Sequence, residues 1–205
     1  MNLLNKFWNT SARPDGRLGR LNLRFMNIAH TPMARWNLSL IAWQPAWTVL
    51  DVGCGGGRNL ARLLRLCPKG KVYGIDISED SVTYSRRKNS HAIKNGRCVV
   101  ELGSADAMPF TDAMFDVVTA YETVYFWPDL PLAFAEVGRV LKPGATFTFS
   151  YGLKTDTAMR YWEEQVEAMH LLPVEEIKSL LTAAGFSHIH TTAKGKATIN
   201  FRAIH

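Results

Sequence analysis

No stretch of this chain approaches the roughly 18 apolar residues of a membrane span, so a bilayer-crossing segment is not expected. The N-terminus also lacks the apolar core of a secretory signal. Cysteine is scarce. Cys54, Cys67 and Cys98 are an odd number without C-x-x-C spacing. That argues against a disulfide framework, and a reduced, cytoplasmic protein is the simplest expectation. No Gly-Lys-Ser/Thr run is present, which excludes a triphosphate loop. Internal repeats, low-complexity tracts and a second domain are missing too, and 205 residues suit one domain. Acid is nearly missing from the first 36 residues. There Asp15 faces Lys6, Arg13, Arg17, Arg20, Arg24 and Arg35, so this segment holds five of the chain's six net positive charges. Such an arm suits RNA, an anionic membrane or an acidic substrate. It equally suits a solvated cap whose arginine stems cover apolar side chains.

What is present centres on Thr48 to Arg58. Thr48-Val-Leu-Asp-Val52 reads as a buried strand, Gly53 to Gly57 as a glycine turn, and Leu60, Leu63, Leu64 and Cys67 as one helix face. Glycines let a backbone approach a ligand, and the new helix points free N–H groups at the same spot. A dinucleotide turn needs a third glycine where Arg58 stands. The next strand, Lys71 to Asp76, ends in an acid 19 residues after Gly57, near the spacing at which a carboxylate reaches ribose hydroxyls. The corner therefore wants a ribose without a pyrophosphate.

Other elements follow from local signals. Leu18 to Ala29 reads as a helix with Leu18, Leu21, Phe25 and Ile28 on one face. Thr31-Pro32 suits an N-cap and first position for the next helix. Ser78 caps a helix with Glu79 and Asp80 in its first turn. Arg97 to Glu101, Phe115 to Ala120 and Thr146 to Ser150 are expected strands. Leu130 to Leu141 and Val174 to Ala184 are expected helices, stopped by Pro143-Gly144 and by Gly185. Phe186 to Thr192 and Ala197 to Ile204 are the last two strands. This alternation means a parallel α/β sheet.

Five segments carry a resemblance to a known family. They are Val49-Leu-Asp-Val-Gly-Cys-Gly-Gly-Gly57, Val72-Tyr-Gly-Ile-Asp-Ile-Ser78, Gly103-Ser-Ala-Asp-Ala-Met-Pro-Phe110, Phe115-Asp-Val-Val118 and Glu136-Val-Gly-Arg-Val-Leu-Lys-Pro-Gly-Ala-Thr-Phe147. In this order and spacing, from about Trp47 onward, the chain resembles the small-molecule branch of the class I S-adenosylmethionine-dependent methyltransferases. Cys54 sits where the family accepts several small residues, and Ala145 replaces a frequent glycine. The resemblance implies a Rossmann-like three-layer sandwich with a mostly parallel seven-stranded sheet, in which the C-terminal hairpin adds one antiparallel strand. It implies S-adenosylmethionine as cofactor. Residues 47–205 would form the core and residues 1–46 a helical cap.

The resemblance also assigns site residues. Asp51 would help hold the methionine end of the cofactor, or else cap the turn. Gly53, Gly55 and Gly57 would form the cradle. Asp76 would take ribose hydroxyls, with capping near Ser78 as the alternative, and Ile77 would follow it beside the cofactor. Asp106 would face the adenine amino group, with an Asx-turn as the alternative. Ala107 and Met108 would line the adenine face, unless Met108 is core. Tyr121 would lie beside the cofactor at a strand end. Glu122, Tyr125, Phe126 and Trp127 would face the acceptor or pack under the next helix. His30 is of the residue type that most often serves as a general base, or else is a boundary histidine. His30 and Tyr125 are thus the catalytic candidates. His188 and His190 alternate on a strand without a third ligand, so no metal site is expected.

Three functions remain open. The first is methyl transfer to a small molecule by in-line displacement. The second is a tRNA or rRNA methyltransferase using the basic arm, so nucleic acid is disfavoured but not excluded. A strand-end Asn/Asp-Pro-Pro-Tyr/Phe run, as in enzymes methylating base amines, is replaced here by Ala120-Tyr-Glu-Thr123. The third is a cofactor-binding module without catalysis. No membrane partner is expected, and oligomeric state is not legible. Phe7, Trp8, Leu21, Phe25, Ile28, Met33 and Trp36 are too apolar for a solvated tail. Leu18 to Trp43 is expected to cover the open end of the sheet, with the first dozen residues as a mobile flap.

Overall fold

The computed structural model describes residues 7–205. Seven strands form one sheet in the order β3-β2-β1-β4-β5-β7-β6. They are β1 Thr48–Val52, β2 Lys71–Asp76, β3 Cys98–Leu102, β4 Phe115–Tyr121, β5 Leu141–Gly152, β6 Ser187–Lys194 and β7 Thr198–Ile204. β1 to β5 run parallel, and β7 pairs antiparallel with both β5 and β6. The sheet is thus mostly parallel with one reversed strand, as the resemblance implied.

Parallel strands need covered faces, and the pleat sends neighbouring residues to opposite sides. Leu50 and Val118 join one core with Phe134, Val137, Ile177 and Leu181. Their neighbours Val49 and Val117 join the other with Leu60, Leu63 and Val82. Helices α6 (Leu130–Val140) and α8 (Val174–Ala183) therefore cover one face. α3 (Arg58–Leu66) and α4 (Glu79–Lys88) cover the opposite one. Leu60 and Leu63 are fully buried, which contributes about 1.5–3 kcal/mol each. Phe149 pairs with Phe201 across β5 and β7, with rings stacked at 4.8 Å. The three cysteines are buried and free.

Several boundaries differ from expectation. β5 begins at Leu141, not Thr146, because Leu141 already pairs with Phe115 and a register shift then absorbs Pro143-Gly144. His30, not Thr31, is the N-cap of α2 (Thr31–Ser39), and it makes no side-chain cap bond. Thr31 Oγ1 instead accepts from Arg58 and Arg62, at 3.0 and 3.1 Å. A short α5 (Ser90–Lys94) and α7 (Thr157–Gln165) have no counterpart in the sequence reading. Asp156 caps α7 through the amides of Ala158 and Met159. The two histidines of β6 do not alternate simply, since the register shifts between Ser187 and His190 and His188 has φ +46°.

The largest difference lies in α1 (Gly16–Ala29). Its apolar stripe, Leu18, Leu21, Phe25 and Ile28, faces outward. Asn22 and Leu23 are buried instead. The Asn22 side-chain Nδ2 donates to Phe7 O, Thr10 Oγ1 and Ser11 Oγ, which holds this polar residue inward although its Oδ1 is buried without a partner. Gly19 packs so closely on Pro14 that a Cβ would not fit. The Gly16 amide and Arg20 both bond Asp80, tying α1 to α4. The expected flap lies partly outside the described residues. Its described part is packed, with Trp8 on Trp162 at 4.8 Å and Asn9 bonded to Gln165 and Glu167.

Candidate active site

The sheet order reverses between β1 and β4, and ligands of such sheets bind in the crevice at that switch point. A cavity of about 380 Å³ lies there. Its floor is the glycine turn Gly53 to Gly56, the end of β2 at Asp76, and Tyr121 to Thr123 after β4. Its walls come from the N-terminal segment and from the stretch around α7.

The turn is held by Asp76. One carboxylate oxygen accepts from the Gly55 amide at 2.8 Å, the other from the Ser78 amide at 3.0 Å. Burial raises its pKa, and these two amides oppose the rise. Each oxygen keeps a lone pair, so the two amide bonds leave Asp76 able to accept from a ligand hydroxyl. Gly53 sits at φ +70°, and a Cβ there would strike Thr123. Gly57 has a different task. A Cβ on it would strike Ser85 and Asn89, so it lets α3 start against α4 and stays off the cavity lining.

Asp51 lies beneath the turn, 2 % exposed. Thr119 donates to its Oδ1 at 2.7 Å, while Oδ2 is buried without a partner. Burial pushes this carboxyl up to about 7, with Asp76 adding to the rise and Thr119 opposing it. A buried, unsatisfied carboxylate oxygen calls for an explanation, and a cation at the turn would supply one. Arg58 and Arg62 line the same end. Burial and then the neighbours Arg58, Arg35 and Arg65 lower the pKa of Arg62. The set fits a ligand with a ribose, an ammonium and a carboxylate.

Not every expected residue joins this cavity. Ile77 and Ala107 are exposed, Asp106 is half-buried, and none of the three lines it. The Gly103 amide donates to Asp76 O, so the loop carrying Asp106 and Ala107 begins beside Asp76. Met108 is core, as is Trp127, which packs on Phe134 and Phe147. Cys54 is buried with its thiol pKa pushed well up by burial, which rules out a thiolate nucleophile. His30 is exposed on the cavity rim.

Tyr121 and Tyr125 line the cavity but are buried, and burial raises both phenol pKa values. Tyr125 is therefore a neutral phenol at the cavity wall. Its hydroxyl donates to Glu122 Oε2 at 3.1 Å. Ser150 Oγ donates to Glu122 Oε1 at 2.8 Å and accepts from the Glu122 amide at 2.9 Å. Glu122 has φ +60°, a conformation uncommon outside glycine. Strain held by such a network at a strand end is a mark of function. α7 and the residues after it supply Met159, Trp162, Val166 and Met169 to the opposite wall. The sequence reading assigned no element here, although their three-four-three spacing is that of one helix face.

Strand order and cavity position make this a doubly wound nucleoside-binding domain. Residues 50–149 match the methyltransferase domain family. The chain is 34% identical over 157 residues to 24-methylenesterol C-methyltransferase 2 of Oryza sativa subsp. japonica, across 72% of this chain and 43% of that protein. It is 34% identical over 117 residues to demethylmenaquinone methyltransferase of Symbiobacterium thermophilum, across 55% of this chain and 47% of that protein. It thus spans about half the length of these relatives. A SAM-dependent methyltransferase from Aquifex aeolicus shares the fold with a TM-score of 0.77 at 22% identity, covering 90% of this chain and 97% of that one. The chain belongs to the class I S-adenosylmethionine-dependent methyltransferases, and S-adenosylmethionine is its cofactor.

Proposed function

We propose that this chain transfers the methyl group of S-adenosylmethionine to an apolar small molecule bearing an X–H nucleophile. The observation that carries this is the continuity of one cavity. It begins at the glycine turn and ends among Trp8, Phe25, Phe126, Met159 and Trp162, with Glu122 at the junction. Relatives named for a sterol, a demethylmenaquinone and a fatty acid support an apolar acceptor.

The cofactor supplies an already activated methyl on its sulfonium. The residues present divide the remaining work. Asp76 would take the ribose hydroxyls, with Ile77, Asp106 and Ala107 around the adenine. Asp51 would neutralise the ammonium through the turn, and Arg58 and Arg62 would take the carboxylate. Gly53 and Gly55 admit the ligand to the backbone, and Tyr121 borders it. The acceptor lies against the aromatic wall. Its X–H would hydrogen-bond Glu122, which would aim the lone pair on X at the methyl group that the sulfonium would supply. The proton from X passes to the Glu122 carboxylate. Tyr125 and Ser150 fix that carboxylate, so it needs no reorganisation as the proton arrives. His30 stays on the rim. The described part of the expected cap, residues 7–46, acts as a lid that excludes water and aligns the acceptor.

Glu122→Gln tests this reading. S-adenosylhomocysteine affinity by calorimetry should be unchanged. Transfer of tritiated methyl into organic-extractable product should fall by about 10²–10⁴-fold, the usual worth of a general base. An unchanged transfer rate would remove Glu122 from the mechanism.

A further inference from the structure

α1 presents Leu18, Leu21, Phe25 and Ile28, spaced three, four and three apart, as one stripe. They are 40, 58, 53 and 66 % exposed, while Asn22 and Leu23 of the same helix are buried. The Asp80 contacts of Gly16 and Arg20 fix which face looks outward. Arg17 and Arg20 are exposed along one flank of the stripe. Phe25, Met26 and Ala29 of this helix also line the cavity, so an apolar track runs from the outer surface to the acceptor wall.

We propose that α1 is an interfacial helix that seats the cavity mouth on an anionic lipid surface. Fourteen residues are too short to span a bilayer. A helix with an apolar aromatic face and flanking arginines lies in the headgroup plane instead. Charge selects this occupant. The first 36 residues hold five of the chain's six net positive charges, which anionic headgroups attract. A second copy on this face would bring two such arms together, and like charges oppose it. RNA would use the arginines but has no use for an outward leucine and isoleucine stripe.

The test is sedimentation of the full chain with vesicles, and it needs no turnover. Equal-part phosphatidylglycerol and phosphatidylcholine vesicles should carry the protein down, pure phosphatidylcholine vesicles much less, and added salt should release it. Leu21→Ser with Ile28→Ser should lower partitioning at least about tenfold. Arg17→Ser should lower it about fivefold. Leu21, Ile28 and Arg17 do not line the cavity, so S-adenosylhomocysteine affinity serves as the folding control. Three results would overturn the proposal. One is no vesicle binding, or binding that the Leu21→Ser/Ile28→Ser variant retains. Another is self-association that this variant abolishes without vesicle binding, which assigns the stripe to a second copy. The last is retention of transfer RNA in place of vesicles, which assigns the arm to nucleic acid.

Discussion

Replacing Asp51 by Asn gives the sharpest test of the turn's electrostatics. The Asp51 carboxyl is raised from 3.8 to about 7, chiefly by burial. Its folded-state pKa lies above its unfolded one. Between about pH 4 and 7 the folded chain therefore holds a proton that the unfolded chain has released. Stability should fall as pH rises through this window, and the penalty should be complete above pH 7. At 1.36 kcal/mol per unit, this rise from 3.8 to about 7 gives a penalty of about 4 kcal/mol as an upper value. Asn escapes it and can still accept from Thr119. It leaves a buried amide unpaired, at a pH-independent cost of about 1–3 kcal/mol. The readout is the difference between wild type and Asp51→Asn in urea unfolding, followed from pH 4 to 8 without cofactor. That difference should shift toward the variant by up to about 4 kcal/mol. S-adenosylhomocysteine, whose ammonium would neutralise the carboxylate, should stabilise wild type more at pH 8 than at pH 5. In Asp51→Asn that gain should vanish. Parallel stability profiles for the two proteins would refute the assignment of a protonated Asp51 in the unliganded state.

Asp76→Ala should weaken S-adenosylhomocysteine at least about tenfold in calorimetry, since each charge-assisted hydrogen bond is worth about 1.5–3 kcal/mol. An unchanged affinity in a folded variant would make this acid purely a brace for Gly55 and Ser78. Gly53→Ala should lose cofactor binding and about 1–2 kcal/mol of stability from the left-handed backbone alone, and more from the collision with Thr123, as thermal unfolding would show. Cofactor should slow hydrogen exchange across Gly16–Ala29 and Thr31–Ser39. Equal exchange with and without it would end the lid assignment.

Legibility followed how local each signal was. β1, the glycine turn, α3 and β2 were readable because their signals sit within a few residues: a β-branched run, glycines with positive φ, and a helical leucine face. The position of Asp76 at the end of β2 beside the glycine turn was readable as well. The start of β5 and the N-cap of α2 were not, because long-range partners decided them. Leu141 pairs with Phe115, and Arg58 and Arg62 claim the Thr31 hydroxyl. Periodicity found the stripe of α1 but not its direction. Three hydrogen bonds from Asn22 and the approach of Pro14 to Gly19 turned the polar face inward. Glu122 was visible only as one of several acceptor-side residues. Its importance rests on Ser150 and Tyr125 closing around it, a contact made through the sheet.

The central claim is methyl transfer to an apolar small molecule within the switch-point cavity. The most direct measurement incubates the full chain and S-adenosylmethionine carrying a tritiated methyl group with a cell extract depleted of its own methyltransferases. The products are then divided into organic, aqueous and nucleic-acid fractions. The account predicts label in the organic fraction, lowered by Asp76→Ala at sub-saturating cofactor and strongly reduced by Glu122→Gln. Label confined to the nucleic-acid fraction, or no transferred label from a chain that binds S-adenosylhomocysteine, would contradict it.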